Sequence, residues 1–430
     1  MRMKFNKSSQ LLLASAVSLL AAGLMASCGS ATTDFVFVAS SKAISASNLN
    51  GQIDVFEINS VSGAMRQIPT SPFPSLGLKP VAEAVSPDNT TLYVVNHDDD
   101  TIVQFLIGND GKLYPQNTVN TPGAYPLAVA ANGSHLFVLD SYQPLSNCST
   151  STPCSGSIAV YPILTAAQAS LLTPSEPADT LGTPLTYPLT LPSSTGDLLE
   201  PTAINVLASG AYLYVTAYDA TSGANYIFGF SVGSGGALTA LNGGYPLLNS
   251  VPFATGTCPS AYLNAPYLAG TCPAAIASDS SSSYVYVTDA LNGTIHGYLV
   301  ASGTGLLSEL STPISAGGQP LAIAVDTKYP YAYVTNAAGN VQAYSITSGS
   351  GVLTSIGTYV AGIQPVAIGI DPSTNHFLFT ANFNPDETYG TVSDFELSTT
   401  AGTLINTQGS PYTASALPTA VAAVPHGGSQ

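Results

Sequence analysis

Residues 320–353 read PLAIAVDTKYPYAYVTNAAGNVQAYSITSGSGVL. A Pro opens an alternating run of small and apolar residues. A turn follows, then the aromatic-Val run of Tyr331 to Asn336, a polar loop, a second alternating run and a Gly turn. Period-two alternation of this kind, punctuated by turn residues, reads as short antiparallel strands. The phrase recurs. Residues 80–113 read PVAEAVSPDNTTLYVVNHDDDTIVQFLIGNDGKL, residues 273–307 read PAAIASDSSSSYVYVTDALNGTIHGYLVASGTGLL, and residues 365–404 carry a fourth copy. Weaker or interrupted copies begin at Pro126 and Pro201. A seventh is split, with Pro418-Thr-Ala-Val-Ala-Ala-Val near the C-terminus and its continuation from Phe35 to Ile58 near the N-terminus.

Each copy supplies four strands, A to D, and a lone four-stranded sheet cannot bury both of its faces. Radial stacking buries them and closes the ring. The expected fold is therefore all-β: a seven-bladed β-propeller of four-stranded antiparallel blades, with N- and C-terminal strands sharing the closing blade. The expected boundaries are a propeller over residues 35–425, preceded by a short tether (28–34) and followed by a flexible tail (426–430). The anchoring Pro opens the innermost strand A, so the D–A and B–C loops share one face and the A–B turns lie on the other. Three insertions, 141–155, 173–200 and 242–272, are expected on the Pro face. Loops on a rigid scaffold carry function more often than the scaffold does.

The composition agrees. Charged residues make up 7% of 430 positions, against about 25% in ordinary soluble domains. Eight Lys and Arg face 24 Asp and Glu, too few bases for the patch that nucleic acid requires. The 45% hydrophobic content excludes a disordered acidic chain, and only one apolar run approaches the length of a membrane span.

That run is N-terminal. Arg2, Lys4 and Lys7 precede the apolar stretch Leu11 to Leu24, and Leu24-Met-Ala-Ser-Cys28-Gly29 follows. Residues 1–27 read as a secretory signal peptide. Small residues before Cys28 resemble a bacterial lipobox, which implies cleavage there, lipidation of the Cys28 thiol and anchoring to the cell envelope, in the periplasm or at the outer membrane. Removal of the leader leaves five bases. The remaining cysteines fall into two local pairs, Cys148 with Cys154 and Cys258 with Cys272. Export permits disulfides, and the spacings fit no zinc ribbon.

The repeat resembles the lactonase family of seven-bladed propellers, whose type member is a 6-phosphogluconolactonase, and Tyr333-Val-Thr-Asn336 spells the YVTN repeat. The resemblance covers about residues 35 to 425 and implies opening of a lactone. Family blades often begin Gly-x-x-Pro-x-His. This chain keeps the Gly/Pro turn at Gly123 to Pro126 and Gly362 to Pro365, but has Ala at the His position in all seven copies: Ala82, Ala128, Ala203, Ala275, Ala322, Ala367 and Ala420. Phosphorylated sugars also favour Arg or Lys clamps, and the only Arg outside the leader is Arg66, expected on an outer strand.

Candidate chemistry is sparse. The strand-A column reads Val129, Ile204, Ile276, Ile323, Ile368, Val421 and once Glu83. A carboxyl buried there would have a raised pKa, a preparation for general-base work. The loop Asn96-His-Asp-Asp-Asp100 offers His97 and Asp98 as a water-activating pair, or Asp98 and Asp100 as metal ligands; it reads equally as a solvated turn. Asp140, Asp219, Asp289, Asn336 and Asn382 end strand B in other blades. With Asp98 and Asp100, Asp140 and Asp289 would contribute oxygen ligands at the mouth, suited to Ca²⁺ or Mg²⁺. The expectation is a monomeric, exported propeller that hydrolyses a small-molecule sugar-type lactone, touching membrane only through its lipid. The alternative is a non-catalytic cell-surface propeller that binds a glycan or protein through the insertion-rich face.

Overall fold

The computed structural model describes residues 32–149, 151–192, 196–247, 273–386 and 388–426. Seven sheets of four or five strands form the blades. Their innermost strands are Pro80–Val85, Ala124–Ala131, Leu199–Val206, Pro273–Ser278, Pro320–Val325, Pro365–Ile370 and Pro418–Pro425, hereafter blades 1 to 7. In blade 7, Pro418–Pro425 pairs with Thr32–Ser40, which pairs with Asn50–Asn59 and then Met65–Gln67. The ring thus closes with one C-terminal and three N-terminal strands, as the split repeat requires. The first strand begins at Thr32, inside the expected tether. Of the expected tail 426–430 only His426 is described, and it is held: its N–H donates to Thr33 O at 2.8 Å and its ring lies 5.3 Å from that of Phe35.

Every inner strand shifts register beside its anchoring Pro, as between Pro80 and Ala82. Pro has no N–H to give the ladder, and the extra residue of a bulge absorbs the gap while it re-aims the chain. Because each sheet is apolar on both faces, there is no single core. Seven clusters of buried side chains lie one between each pair of neighbouring blades, for example Phe37, Val55, Val94 and Phe105 between blades 7 and 1.

Tyrosine ties the blades together. The hydroxyls of Tyr214, Tyr286 and Tyr333, on strand B of blades 3 to 5, donate to the carbonyls of Gly305, Gly351 and Gly402 in the next blade's C–D turn, at 2.7, 2.7 and 3.2 Å. A buried Tyr hydroxyl needs such a partner. Gly351 has φ +68°, and a Cβ there would stand 2.4 Å from the Tyr284 ring, so the turn demands Gly. The Tyr of the repeat and the Gly of the following turn are two halves of one contact.

One insertion differs from expectation. Residues 163–184 connect strand Ser157–Pro162 to the short outer strand Leu185–Pro188, so 173–184 lies on the A–B face. Asp179 accepts there from Thr90 Oγ1 at 3.0 Å and, through its carbonyl, from Tyr93 Oη at 2.7 Å. Only the stretch after Pro188 returns to the Pro face. Arg66 stands on the outermost strand of blade 7, paired with Glu57.

Candidate functional site

The Pro face carries a cluster of His, Asp, Lys, Glu and Tyr side chains that spans blades 1 to 3. It is built from two columns of the repeat: the residue before each anchoring Pro, and the loop after strand B. In blade 1, Lys79 precedes Pro80 with φ +54°, and in blade 2, Tyr125 precedes Pro126 with φ +56°. A residue before Pro avoids the helical region, and the left-handed alternative is strained for non-Gly residues. Local bonds hold it. His97 N–H donates to Lys79 O at 3.0 Å, and Tyr125 N–H donates to Asp100 Oδ1 at 2.6 Å. Asp100 is therefore a tie between two blades.

His97 Nδ1 lies 2.7 Å from Asp98 Oδ1, and Lys79 Nζ pairs with Asp98 Oδ2. Burial pushes the imidazole pKa below its usual value, and Asp98 only partly offsets this. Burial pushes Asp98 up, but Lys79 and His97 outweigh it, and the carboxyl ends below the ordinary range. At neutral pH the pair is thus a neutral imidazole on an ionised carboxylate. An imidazole whose Nδ1–H donates to a carboxylate carries its basic lone pair on Nε2.

Aromatic rings continue the site. The Tyr125 ring lies 5.1 Å from that of His97 and 5.7 Å, edge-on, from Tyr142. Tyr218 donates its hydroxyl to Glu200 Oε2. The Tyr142 hydroxyl is made less acidic by burial, then by the charge of Glu200. Lys79, Tyr125 and Glu200 are the residues before Pro80, Pro126 and Pro201. Reading that column would have found all three.

The other expected site residues lie apart from this cluster. Glu83 ↔ Val94 is the pairing of its strand, three residue steps, or ~10 Å, below Pro80. The residue keeps some exposure through its stem and backbone, yet both carboxyl oxygens are buried without a hydrogen-bond partner. Burial, then the charge of Asp54, pushes its pKa up to about 8. It holds its proton at neutral pH and is no base there.

The end-of-strand-B residues are buried and used locally. Asp140 Oδ2 accepts from Gly123 N–H at 3.1 Å, and Asp289 Oδ1 accepts from Leu291 N–H at 2.9 Å while its Oδ2 accepts from Asn292 Nδ2 at 2.8 Å. Asp219, Asn336 and Asn382 likewise bond within or beside their own turns. Among the described residues no three His, Cys, Asp or Glu side chains gather closely enough to hold a metal ion. Asp98, Asp100, Asp140 and Asp289 therefore do not fit a shared Ca²⁺ or Mg²⁺ site.

Cys148 and Cys154 form a disulfide in the B–C loop of blade 2, which follows the strand His135–Tyr142. Cys28, Cys258 and Cys272 lie outside the described residues. Replacing Cys148 and Cys154 by Ser is expected to cost about 2 kcal/mol, the low end for a closed loop this short, read as a lower thermal midpoint that reductant no longer changes.

The family model of the lactonase seven-bladed β-propeller matches residues 29–151 and 284–415, more than half of the sequence. The chain belongs to the lactonase family. No curated protein matches this lactonase-family chain in sequence. Among solved structures it is similar to the periplasmic gluconolactonase of Pseudomonas aeruginosa, at 18% identity, TM-score 0.65, over 92% of this chain and 99% of that one. It is similar also to a proposed 6-phosphogluconolactonase of Bacteroides uniformis, at 18% identity, TM-score 0.64, over 92% and 100%. A Lactobacillus plantarum protein matches at 18% identity and TM-score 0.63, over 92% and 100%. At such identity these neighbours establish the shared fold.

Proposed function

We propose that this lactonase-family propeller hydrolyses an unphosphorylated sugar-type lactone outside the cytoplasm, at the Pro-face mouth of blades 1 to 3. The observation that carries the reading is the neutral His97 held by ionised Asp98 beside the Tyr125 and Tyr142 rings. Family membership and the activity named for the Pseudomonas neighbour support it. In the proposed reaction, water gives a proton to His97 Nε2 as its oxygen adds to the lactone carbonyl. The ring C–O bond then breaks, and the same proton passes to the departing alkoxide, leaving a hydroxy acid. Asp98 holds the ring and offsets the imidazolium charge. Lys79, paired with Asp98, is the cation of this cluster, and the tyrosine faces suit a sugar ring.

The absence of phosphate follows from charge. Of the described bases, only Lys42 and Lys79 stand on the Pro face, and Lys79 is paired with Asp98. A phosphate clamp would require more. The test is a panel of gluconolactone and 6-phosphogluconolactone, with and without Ca²⁺, Mg²⁺ and EDTA, against spontaneous hydrolysis. Turnover of the unphosphorylated lactone above background is expected. No turnover of any lactone, together with retention on a glycan column, would replace hydrolysis by carbohydrate binding at the same tyrosine rim.

A further inference from the structure

We infer that the A–B face rests on the lipid surface and that the His97 site points away from it. This rests on the reading of Cys28 as a lipidated residue, and it adds the face that the anchor selects. Four residue steps separate Cys28 from Thr32, and an extended chain covers at most ~14 Å in that length. Thr32 opens strand B of blade 7, which runs from the A–B face toward the Pro face. Its first residues sit among A–B turns: Thr33 Oγ1 lies 3.4 Å from Ser373 Oγ, and Ser373 Oγ donates to Asp34 Oδ2 at 2.9 Å. A diacyl chain on Cys28 would therefore pull this face, and no other, against the headgroups.

The face has side chains to meet them. Val61, in the C–D turn of blade 7, is 87% exposed, and Leu171 and Leu172, in the insertion now placed on this side, are 83% and 42% exposed. Among the described residues no helix is long and apolar enough to cross a membrane, so contact is by anchor and loop tips. The strands hold the Pro-face mouth ~20 Å further out, where a water-soluble lactone arrives freely.

The experiment uses the full chain, expressed in a bacterium and reconstituted with its own lipid into phosphatidylethanolamine/phosphatidylglycerol vesicles carrying nitroxide headgroups. Fluorophores are placed on Leu171→Cys and, on the Pro face, Ile363→Cys, with the parent chain as background. Quenching several-fold stronger at position 171 is expected; equal quenching, or stronger quenching at 363, overturns the orientation. Incorporation of labelled palmitate, lost in Cys28→Ala, checks the anchor separately. A wild-type chain that takes up no palmitate overturns the anchor reading itself, and the orientation with it.

Discussion

His97→Ala is expected to lower lactone turnover about 10²–10⁴-fold, the usual worth of a positioned general base. The loss should fall on kcat, because the imidazole acts on water in the transition state and contributes little to ground-state binding. Asp98→Asn should lower turnover less and move the pH profile. Burial lowers the His97 pKa against the opposing pull of Asp98, so the wild-type rate should hold down to pH below the free-imidazole value of about 6.5. Removing the carboxylate should extend that acid limb further, since the charge that raises the imidazole pKa is gone. His97 lies in a loop, and its removal should leave the thermal midpoint within a few degrees. Unchanged turnover in a folded His97→Ala protein would remove the proposed base.

Raising the pH from 6.5 to 8.5 is expected to destabilise the fold by on the order of 5 kcal/mol. Burial is the leading cause of raised pKa values at Asp34, to about 7, and at Glu83, Asp140 and Asp394, each to about 8. In the unfolded chain these carboxyls ionise near 4. Between that value and their folded pKa, the folded state binds more protons than the unfolded state, so stability falls as pH rises and levels off above about 8. Three buried imidazoles, His97, His135 and His296, have lowered values and cost stability as pH falls below about 6.5. In the unfolded chain they are half protonated at pH 6.5, so together they offset the loss across the window by up to about 1 kcal/mol, well short of the carboxyl effect. A midpoint lower by roughly 5–10 °C at pH 8.5 is the expected reading. Glu83→Ile, which copies the Ile of blades 3 to 6, should recover part of the loss at pH 8.5. A midpoint that does not move between the two pH values would show that these carboxyls ionise without penalty.

Much of the architecture was legible because the repeat states the same requirement seven times. Pro320 to Val325 and its copies name the inner strand, and the split copy names the closure. The misplaced insertion had a local cause. Leu185–Pro188 is a four-residue strand between prolines, and its sequence looks like loop, so residues 173–184 lost the strand that assigns their side. The oxygen ring failed for a different reason. Strand-end Asp and Asn were placed at the right ends, but sequence does not say whether such a side chain points to the mouth or bonds to nearby backbone: Asp289 caps its own turn and Asp140 holds the Gly123 loop of its blade. His97 and Asp98 were visible as neighbours in one loop. Tyr218 and Glu200 are cross-strand partners in blade 3, whereas Tyr142 comes from blade 2, and its approach to Glu200 is a product of ring geometry.

The closing blade has a consequence for the order of events in a cell. Asp34 pairs with Pro425 and Ser40 with Pro418, contacts that join almost opposite ends of the polypeptide. Pairings so distant in sequence form late, and six blades can fold before the seventh has its inner strand. A chain threaded through a secretion channel N-terminus first cannot lock its ring until its last residues have emerged. Under the proposed export, the complete circle would mature only beyond the membrane, and a truncation of only the final dozen residues would leave Thr32–Ser40 as an open edge, available to a neighbouring chain.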